Sequence, residues 1–225
     1  MRDLFFTNKA DETEGENKES RPDDPNKEKN AKSFTLRSKH IERRVKSELV
    51  LNEIIPWHFS GGESYHIFSF GDVDALSYLR VIVKQQRVEY VLLSTWCMSL
   101  ADVKEIRDWV EKGYVKFIDF YVGEIFRSSY TDVYLELSKL SAQFGGRVCI
   151  FRNHAKIICG FGEKFDFVVE TSANVNTNPR SEFAAITIDE QLARFYKEEI
   201  FDNIKSFNRD FDNWKPYKLK RDEII

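Results

Sequence analysis

From Tyr65 onward, short segments of β-forming residues alternate with longer segments that have the period of an α-helix. The predicted strands are apolar on both faces, which is typical of a sheet covered by helices on each side. This alternation predicts an α/β domain whose mixed sheet lies between two layers of helices. The predicted strands span residues 65–70, 88–94, 115–122, 147–160, 164–174 and 182–188, and the predicted helices span 72–86, 99–112, 131–144 and 190–207.

The first 33 residues differ in composition from the rest of the chain. They contain seven Lys or Arg and nine Asp or Glu, with too little apolar surface to offset the entropy lost on ordering. We therefore predict a disordered charged arm over residues 1–33. The 225-residue length then leaves one ordinary domain over residues 34–225.

Residues 34–55 predict an amphipathic helix that ends before Pro56. Ile41, Val45, Leu49 and then Asn52 and Ile55 have helical spacing, with Lys and Arg between them. Runs of charge usually face solvent, so we favour a helix packed on the domain over a phosphate-binding arm. If the helix does bind phosphate, the binding face would consist of Lys39, Arg43, Arg44 and Lys46.

The composition excludes several classes of protein. No apolar run approaches the roughly 20 residues needed to cross a bilayer, and the N-terminus lacks the apolar stretch of a secretion signal. We therefore expect a cytoplasmic protein without stable membrane association.

Cys97, Cys149 and Cys159 are widely spaced, which predicts buried, reduced thiols. With a net charge of −3, a nucleic-acid partner would have to bind a local basic patch.

Four polar residues interrupt the two predicted strands 147–160 and 164–174. Residues two apart in a strand share a face, so each pair should project to one side. The turn-forming segment 160–164 lies between the pairs, and folding the chain about Glu163 places position 154 opposite position 172. One hairpin would then gather four side chains at one end of one face, namely His154, Lys156, Ser172 and Asn174.

Each of these residues and its neighbours also has a structural interpretation. Ser172 and Asn174 could bond the backbone of the loop that follows them. Glu170 would lie opposite Lys156 in the same register and form a salt bridge with it. Arg180, in a polar loop after Pro179, either contacts a substrate phosphate or is only solvated.

The segments 153–156, 171–174 and 178–182 read NHAK, TSAN and NPRSE. They resemble the His-x-Lys signature, the downstream Gly/Ser-x-x-Asn element and the trailing acid of the phospholipase D superfamily, in particular its small single-motif bacterial and phage members. The resemblance covers residues 65–207 and implies a phospholipase D-like sheet between helices. Two residues depart from the pattern: Phe161 stands where the family has an Asp, with only the displaced Asp166 nearby, and Thr171 stands where it has a Gly.

The resemblance implies a phosphodiesterase that needs no metal or cofactor. His154 would attack phosphorus to form a phosphohistidine, and a second imidazole would protonate the leaving oxygen and then activate water. Larger family members carry two copies of the motif, whereas this chain carries one. A homodimer would therefore supply both imidazoles from His154 of two subunits.

The other site residues would act on the phosphate or on the imidazole. Lys156 would neutralise the non-bridging oxygens, while Asn174 and the Ser172 hydroxyl would donate hydrogen bonds to them. Glu182 would orient His154 through its second ring nitrogen.

We expect the substrate to be nucleic acid rather than lipid, because no amphipathic insertion segment, secretion signal or lipid anchor is evident. The leading hypothesis is thus a homodimeric nuclease. A phospholipase or phosphatidyl transferase is one alternative. The other is a catalytically inactive nucleic-acid-binding or assembly protein with the same fold, which the missing Asp and the negative net charge keep open.

Overall fold

The computed structural model describes residues 39–176, 179–208 and 213–223. The predicted disordered arm, residues 1–33, lies outside the described residues. The described part forms the predicted α/β fold, a seven-stranded mixed sheet with helices on both faces. The helices are α1 (Lys39–Ile54), α2 (Ala75–Gln85), α3 (Leu100–Glu111), α4 (Thr131–Phe144) and α5 (Glu190–Arg194), and the strands are β1 (Ser64–Ser69), β2 (Val88–Thr95), β3 (Val115–Gly123), β4 (Val148–Phe151), β5 (Ile157–Gly162), β6 (Asp166–Thr171) and β7 (Glu182–Thr187).

The strands lie in the order β1-β7-β6-β5-β2-β3-β4. Strands β2, β3 and β4 are parallel to one another, and all other neighbours are antiparallel. Helices α1 to α4 cover one face, and α5 with the C-terminal segment covers part of the other. Because both faces of β2 and β5 are covered, their apolar side chains form the centre of the core.

Two smaller predictions concern local features. The spacing of Ser99 and Asp102 predicts a capping box at the start of α3. It is present, because the Ser99 side chain accepts from the amide of Asp102 and the Asp102 side chain accepts from the amide of Ser99. The three cysteines are buried free thiols, as predicted. Of the helices that the structure describes, none has both the length and the apolar character that crossing a membrane requires.

Helix α1 presents a different face to the domain than its sequence predicts. Its buried positions include Ser47 and Leu51, whereas the predicted apolar contacts Val45 and Leu49 are 52% and 58% exposed. The predicted helix 34–55 agrees with α1 at its C-terminal end, and residues 34–38 lie outside the described part. The helix exists as predicted. Its predicted buried face is wrong at Val45 and Leu49, whereas Ile55 is buried as predicted.

Two ion pairs explain this rotation of α1. Arg43 donates to the Asp74 carboxylate over 2.8 Å, and Arg44 donates to the Asp102 carboxylate over 2.6 Å. These acids lie at the starts of α2 and α3, so both guanidinium groups face the domain. The proposed phosphate-binding face is therefore wrong at these two arginines, whose charges are already paired.

The predicted strand 147–160 is in fact two strands that are not neighbours. Strand β4 ends at Phe151, β5 begins at Ile157, and β3 and β2 lie between them in the sheet. The connecting segment 152–156 crosses the ends of those two strands. Asn153 holds it there, because its Nδ2 donates to the carbonyl of Tyr121 and to the Ser94 hydroxyl, each over 2.9 Å.

The predicted register of the hairpin between β5 and β6 is wrong by one residue. Phe161 pairs with Asp166 and Ile157 pairs with Glu170, so the turn contains four residues and has no central residue. The side chain of Gln86 sets this turn: its Oε1 accepts from the amides of Lys164 and Phe165 over 2.8 and 3.0 Å.

The predicted helix 190–207 ends much earlier than expected. Helix α5 stops at Arg194, and a π-helical turn (Phe195–Ile200) and a 3₁₀ turn (Phe201–Asn203) follow. This irregular end places the ring of Phe201 against Tyr121, with 4.7 Å between ring centroids. Two further 3₁₀ turns lie at Glu124–Arg127 and Lys220–Glu223.

A buried polar network lies between the sheet and the C-terminal segment. Asp119, on β3, accepts from the Tyr90 hydroxyl and from the amide of Arg147, each over 2.8 Å. The Arg147 guanidinium packs on Trp214, 3.6 Å from the ring centroid, and donates to the Tyr121 hydroxyl over 2.9 Å. Burial raises the pKa of Asp119 to about 6, although the hydrogen bonds and the charge of Arg147 oppose this rise.

Candidate active site

The topology gathers four chain segments at one edge of the sheet. Strands β2 and β6 end at this edge, and β5 and β7 begin there, because each of these strands is antiparallel to its neighbour in the row β7-β6-β5-β2. His154, Lys156, Ser172 and Asn174 lie just beyond these ends rather than within strands as predicted, and Glu182 is the first residue of β7. Side chains in loops at strand ends are not needed to pack the core, so they can serve in binding or catalysis.

His154 and Lys156 lie together in the segment 152–156. Lys156 is only 9% exposed, whereas the His154 side chain is exposed. The Lys156 ammonium donates to the carbonyl of His154 over 2.7 Å and lies 2.9 Å from Nδ1 of the imidazole. It also lies 3.3 Å from Nε2. Because an ammonium can only donate, either contact is a hydrogen bond only when that ring nitrogen is unprotonated.

The surroundings of Lys156 favour an anionic ligand. Burial lowers the pKa of Lys156, while the negative charge of Glu182 partly opposes this effect. A nearly buried ammonium beside an exposed imidazole is a site where a phosphate oxygen would restore favourable electrostatic contacts.

Ser172 and Glu182 form a pair at the same edge. The Ser172 hydroxyl donates to the Glu182 carboxylate and accepts from the amide of Phe183 over 3.0 Å. The hydroxyl proton is thus directed to Glu182 in this arrangement. Ser172 thereby fixes the carboxylate whose charge stabilises the Lys156 ammonium.

Asn174 is anchored through its carbonyl oxygen. Its Oδ1 accepts from the amide of Trp96 over 3.1 Å and from the Thr95 hydroxyl over 3.4 Å. Within the described ranges, its Nδ2 has no hydrogen-bond partner. The carboxamide therefore retains N–H donors for a ligand at the edge of the sheet.

Two residues of the site were not assigned from the sequence. Trp96 follows β2, and its ring centroid lies 5.8 Å from that of His154. Asn153 anchors the segment that carries His154 and is 3% exposed. The sequence could have indicated Trp96, because it directly follows a buried strand and several motif residues also lie next to strand ends. The role of Asn153 could not be predicted, because it depends on contacts between segments that are distant in the sequence.

The structure moves one predicted residue, Glu170, out of this cluster. Glu170 pairs with Ile157, so it lies on the opposite face from Lys156, where it accepts from the Tyr196 hydroxyl. The predicted salt bridge with Lys156 is therefore wrong, because the one-residue shift in register moves Glu170 to the other face. Arg180 lies in an exposed loop before β7.

Asp166 lies directly across from Phe161 at the other end of the sheet. Its carboxylate accepts two hydrogen bonds from Arg221, at 2.7 and 2.8 Å, and one from the amide of Gly162 over 3.2 Å. It stabilises the turn after β5 and has no contact with the His154 cluster among the described residues.

The site is an open edge rather than a deep pocket. Two cavities of about 460 and 500 Å³ lie near the turn between β5 and β6, and both border Lys164. Neither is lined by His154, Lys156 or Asn174. Among the described residues, no three His, Cys, Asp or Glu side chains are grouped so as to hold a metal ion.

No protein-family model matches the chain, and no curated protein matches it. Among solved structures, the chain is similar to a phosphatidylserine synthase from Haemophilus influenzae Rd KW20, with 14% identity over 60% of this chain and a TM-score of 0.46. The match spans 37% of that synthase.

Two further solved structures are similar. Nuc, a phospholipase D family member from Salmonella typhimurium, has 14% identity over 61% of this chain and 90% of its own, with a TM-score of 0.41. NucT from Helicobacter pylori has 17% identity over 61% of this chain and 93% of its own, with a TM-score of 0.44. At these identities the similarity concerns the fold, and the chemistry has to be argued from the side chains of this chain.

Proposed function

We propose that this chain is a metal-independent phosphodiesterase acting on nucleic acid, with a complete site shared by two copies. The observation that supports this most directly is the 2.9 Å contact between the exposed imidazole of His154 and the nearly buried ammonium of Lys156. The imidazole supplies a nucleophile and the ammonium supplies charge neutralisation, so both requirements of phosphoryl transfer are met by side chains.

In the first step, a ring nitrogen of His154 attacks phosphorus and a phosphorus–nitrogen bond forms as the bond to the leaving oxygen breaks. When phosphate binds, Lys156 would turn from the imidazole to the non-bridging oxygens. The free N–H donors of Asn174 would bond the same oxygens, which carry more charge in the transition state than in the substrate.

The Ser172–Glu182 pair would act on Lys156 and not directly on the substrate. Its negative charge partly opposes the lowering of the Lys156 pKa that burial causes, and so favours the charged form of Lys156. This assignment differs from the role of histidine orientation that the motif implies for Glu182.

The second imidazole would come from another copy of the chain. Phe68, Phe70 and Phe183 are 63%, 80% and 54% exposed, and Phe68 pairs across the sheet with Phe183, next to Glu182. We call these three residues the aromatic surface. Monomeric proteins rarely leave such a cluster in water. Packing of this surface on its twin would bring His154 of a second copy towards the site, where it would protonate the leaving oxygen.

Replacing both Phe68 and Phe183 by serine should convert a dimer into a monomer. Because both rings are more than half exposed, the monomer should still fold and unfold cooperatively, while kcat falls by about 100-fold or more with the loss of the general acid. Light scattering and a cleavage assay measure the two effects. Leu135→Ser, at a residue of α4 that is 49% exposed, is the matched control. A wild-type protein that is monomeric with substrate bound would contradict the shared site.

The proposed activity is tested with plasmid, single-stranded DNA and RNA in the presence of EDTA. We expect cleavage by the wild type and a loss of about 1,000-fold or more for His154→Ala, with His58→Ala as the control. A radiolabelled substrate should leave an acid-labile, alkali-stable phosphoryl group on the wild-type protein. Cleavage that persists in His154→Ala would refute the proposal.

Two other results would select the alternatives. Hydrolysis of phosphatidylcholine vesicles without any cleavage of nucleic acid would identify a lipid phosphodiesterase. Salt-dependent DNA binding without cleavage would identify an inactive nucleic-acid-binding protein, because counterion release gives binding that weakens steeply with salt.

A further inference from the structure

Trp96 is an aromatic side chain placed beside the proposed nucleophile. It is half-buried, and its ring plane is inclined by 53° to that of His154. Gly123, at the end of β3, leaves room for it: a Cβ at Gly123 would lie 2.8 Å from Cδ1 of the indole. The strand end is thus shaped to hold an indole at this edge of the sheet.

The backbone around Trp96 is tied on both sides. Its amide donates to Asn174 Oδ1, and the hydroxyl of Thr95 donates to the carbonyl of Cys97 over 2.8 Å. The same hydroxyl accepts from the amide of Val175 over 3.0 Å. The indole is therefore pre-positioned relative to His154 and Asn174, the two residues that would contact the phosphate.

A fixed, partly exposed indole is a typical surface for a nucleobase. Every base has a flat face that can stack on an aromatic ring. The Trp96 ring centroid lies 5.8 Å from that of His154, so a base on the sugar next to a phosphate bound at His154 would lie within reach of Trp96. In a duplex the bases are already stacked and paired, so they reach such a ring only after unpairing. Single strands offer their bases without that cost.

We propose that Trp96 is a stacking subsite for the nucleobase adjoining the reacting phosphate, and that the substrate class is single-stranded nucleic acid. This inference rests on the proposed function, because it needs a phosphodiester bound at His154 and Lys156. It assigns to Trp96 a contact with substrate that none of the motif residues supplies.

The test compares single-stranded oligonucleotides that carry one cleavable linkage, with normal or abasic residues on either side of it. For the substrate with bases, Trp96→Ala should lower kcat/KM by about 5- to 150-fold, mainly through KM, since one stacked base contributes that factor. For the abasic substrate the same change should alter kcat/KM by less than about threefold. Trp96→Phe should restore most of the loss, and Trp57→Ala, at a residue that is 78% exposed, is the control.

Distinct results separate failure of the subsite from failure of the proposed function. Equal losses on both substrates would show that Trp96 only positions His154, and equal cleavage of duplex and single strand by the wild type would overturn the substrate class. If no phosphodiester is cleaved, the proposed function fails. The subsite is then tested by fluorescence anisotropy of a labelled single-stranded oligonucleotide, where equal affinity for wild type and Trp96→Ala would overturn it.

Discussion

Lys156→Met is expected to abolish phosphodiester cleavage without lowering the stability of the fold. The ammonium would neutralise the non-bridging oxygens as charge accumulates on them, and removal of one such group costs about 100- to 1,000-fold or more in kcat. Folding does not stabilise the charged form of Lys156, because burial lowers the pKa of its ammonium. Methionine retains the apolar stem and removes the charge, so the melting temperature should remain the same or rise.

Single-turnover cleavage and thermal unfolding of the same preparation check this result. Lys104→Met, at an exposed residue of α3, should leave both quantities unchanged. In the wild type, activity should fall as the pH rises through the lowered pKa of Lys156, below the usual lysine value of about 10.4, because the charged form is the active one. A destabilised Lys156→Met protein, or one that retains cleavage, would contradict the role of the buried ammonium.

Arg147→Met should destabilise the fold by an amount on the order of 3–5 kcal/mol, typical of breaking a buried ionic network. Arg147 is 5% exposed and donates to the carbonyl of Phe201 over 2.8 Å, so its loss leaves that carbonyl without this donor. It also removes the positive charge that favours ionised Asp119. The expected drop in melting temperature is about 6–20 °C.

The pH dependence of this loss provides a second test. An acid whose pKa is raised to about 6 in the folded state contributes stability that is complete below its ordinary pKa and is lost as the pH rises through 6. At pH 8 Asp119 is ionised and needs Arg147, whereas at pH 5 it is mostly protonated. The destabilisation measured by urea unfolding should therefore be larger at pH 8 than at pH 5. Arg107→Met, on the surface of α3, is the control; equal losses at both pH values would contradict the coupling.

Much of the fold could be predicted because the signals are local. The alternation of apolar segments gave the helices and strands around the core, and Ser99 with Asp102 gave the start of α3. His154, Lys156 and Asn174 lie in the loops beyond the ends of the strands, whereas the sequence predicted that a hairpin register within the strands would gather them.

The errors have a common physical origin in contacts between distant segments. The side chain of Gln86, from a distant part of the chain, determines the turn between β5 and β6. The prediction that the hairpin is centred on Glu163 therefore had the wrong register. Asp74 and Asp102 determine which side of α1 faces the domain. Strands β4 and β5 are both apolar, and an apolar pattern does not reveal that the chain leaves one edge of the sheet and returns near its centre.

The crossing between β4 and β5 also limits how the segment with His154 can vary in length. Phe151 and Ile157 belong to strands three places apart, a separation of about 14 Å at the usual strand spacing. Six residue steps of fully extended chain reach about 20 Å, so the segment has little slack. Deleting two residues would force β4 or β5 to unpair, and adding residues would let the imidazole swing away from the ammonium. The position of the His154 imidazole relative to the Lys156 ammonium is thus set by the number of residues in the crossing as much as by their identity.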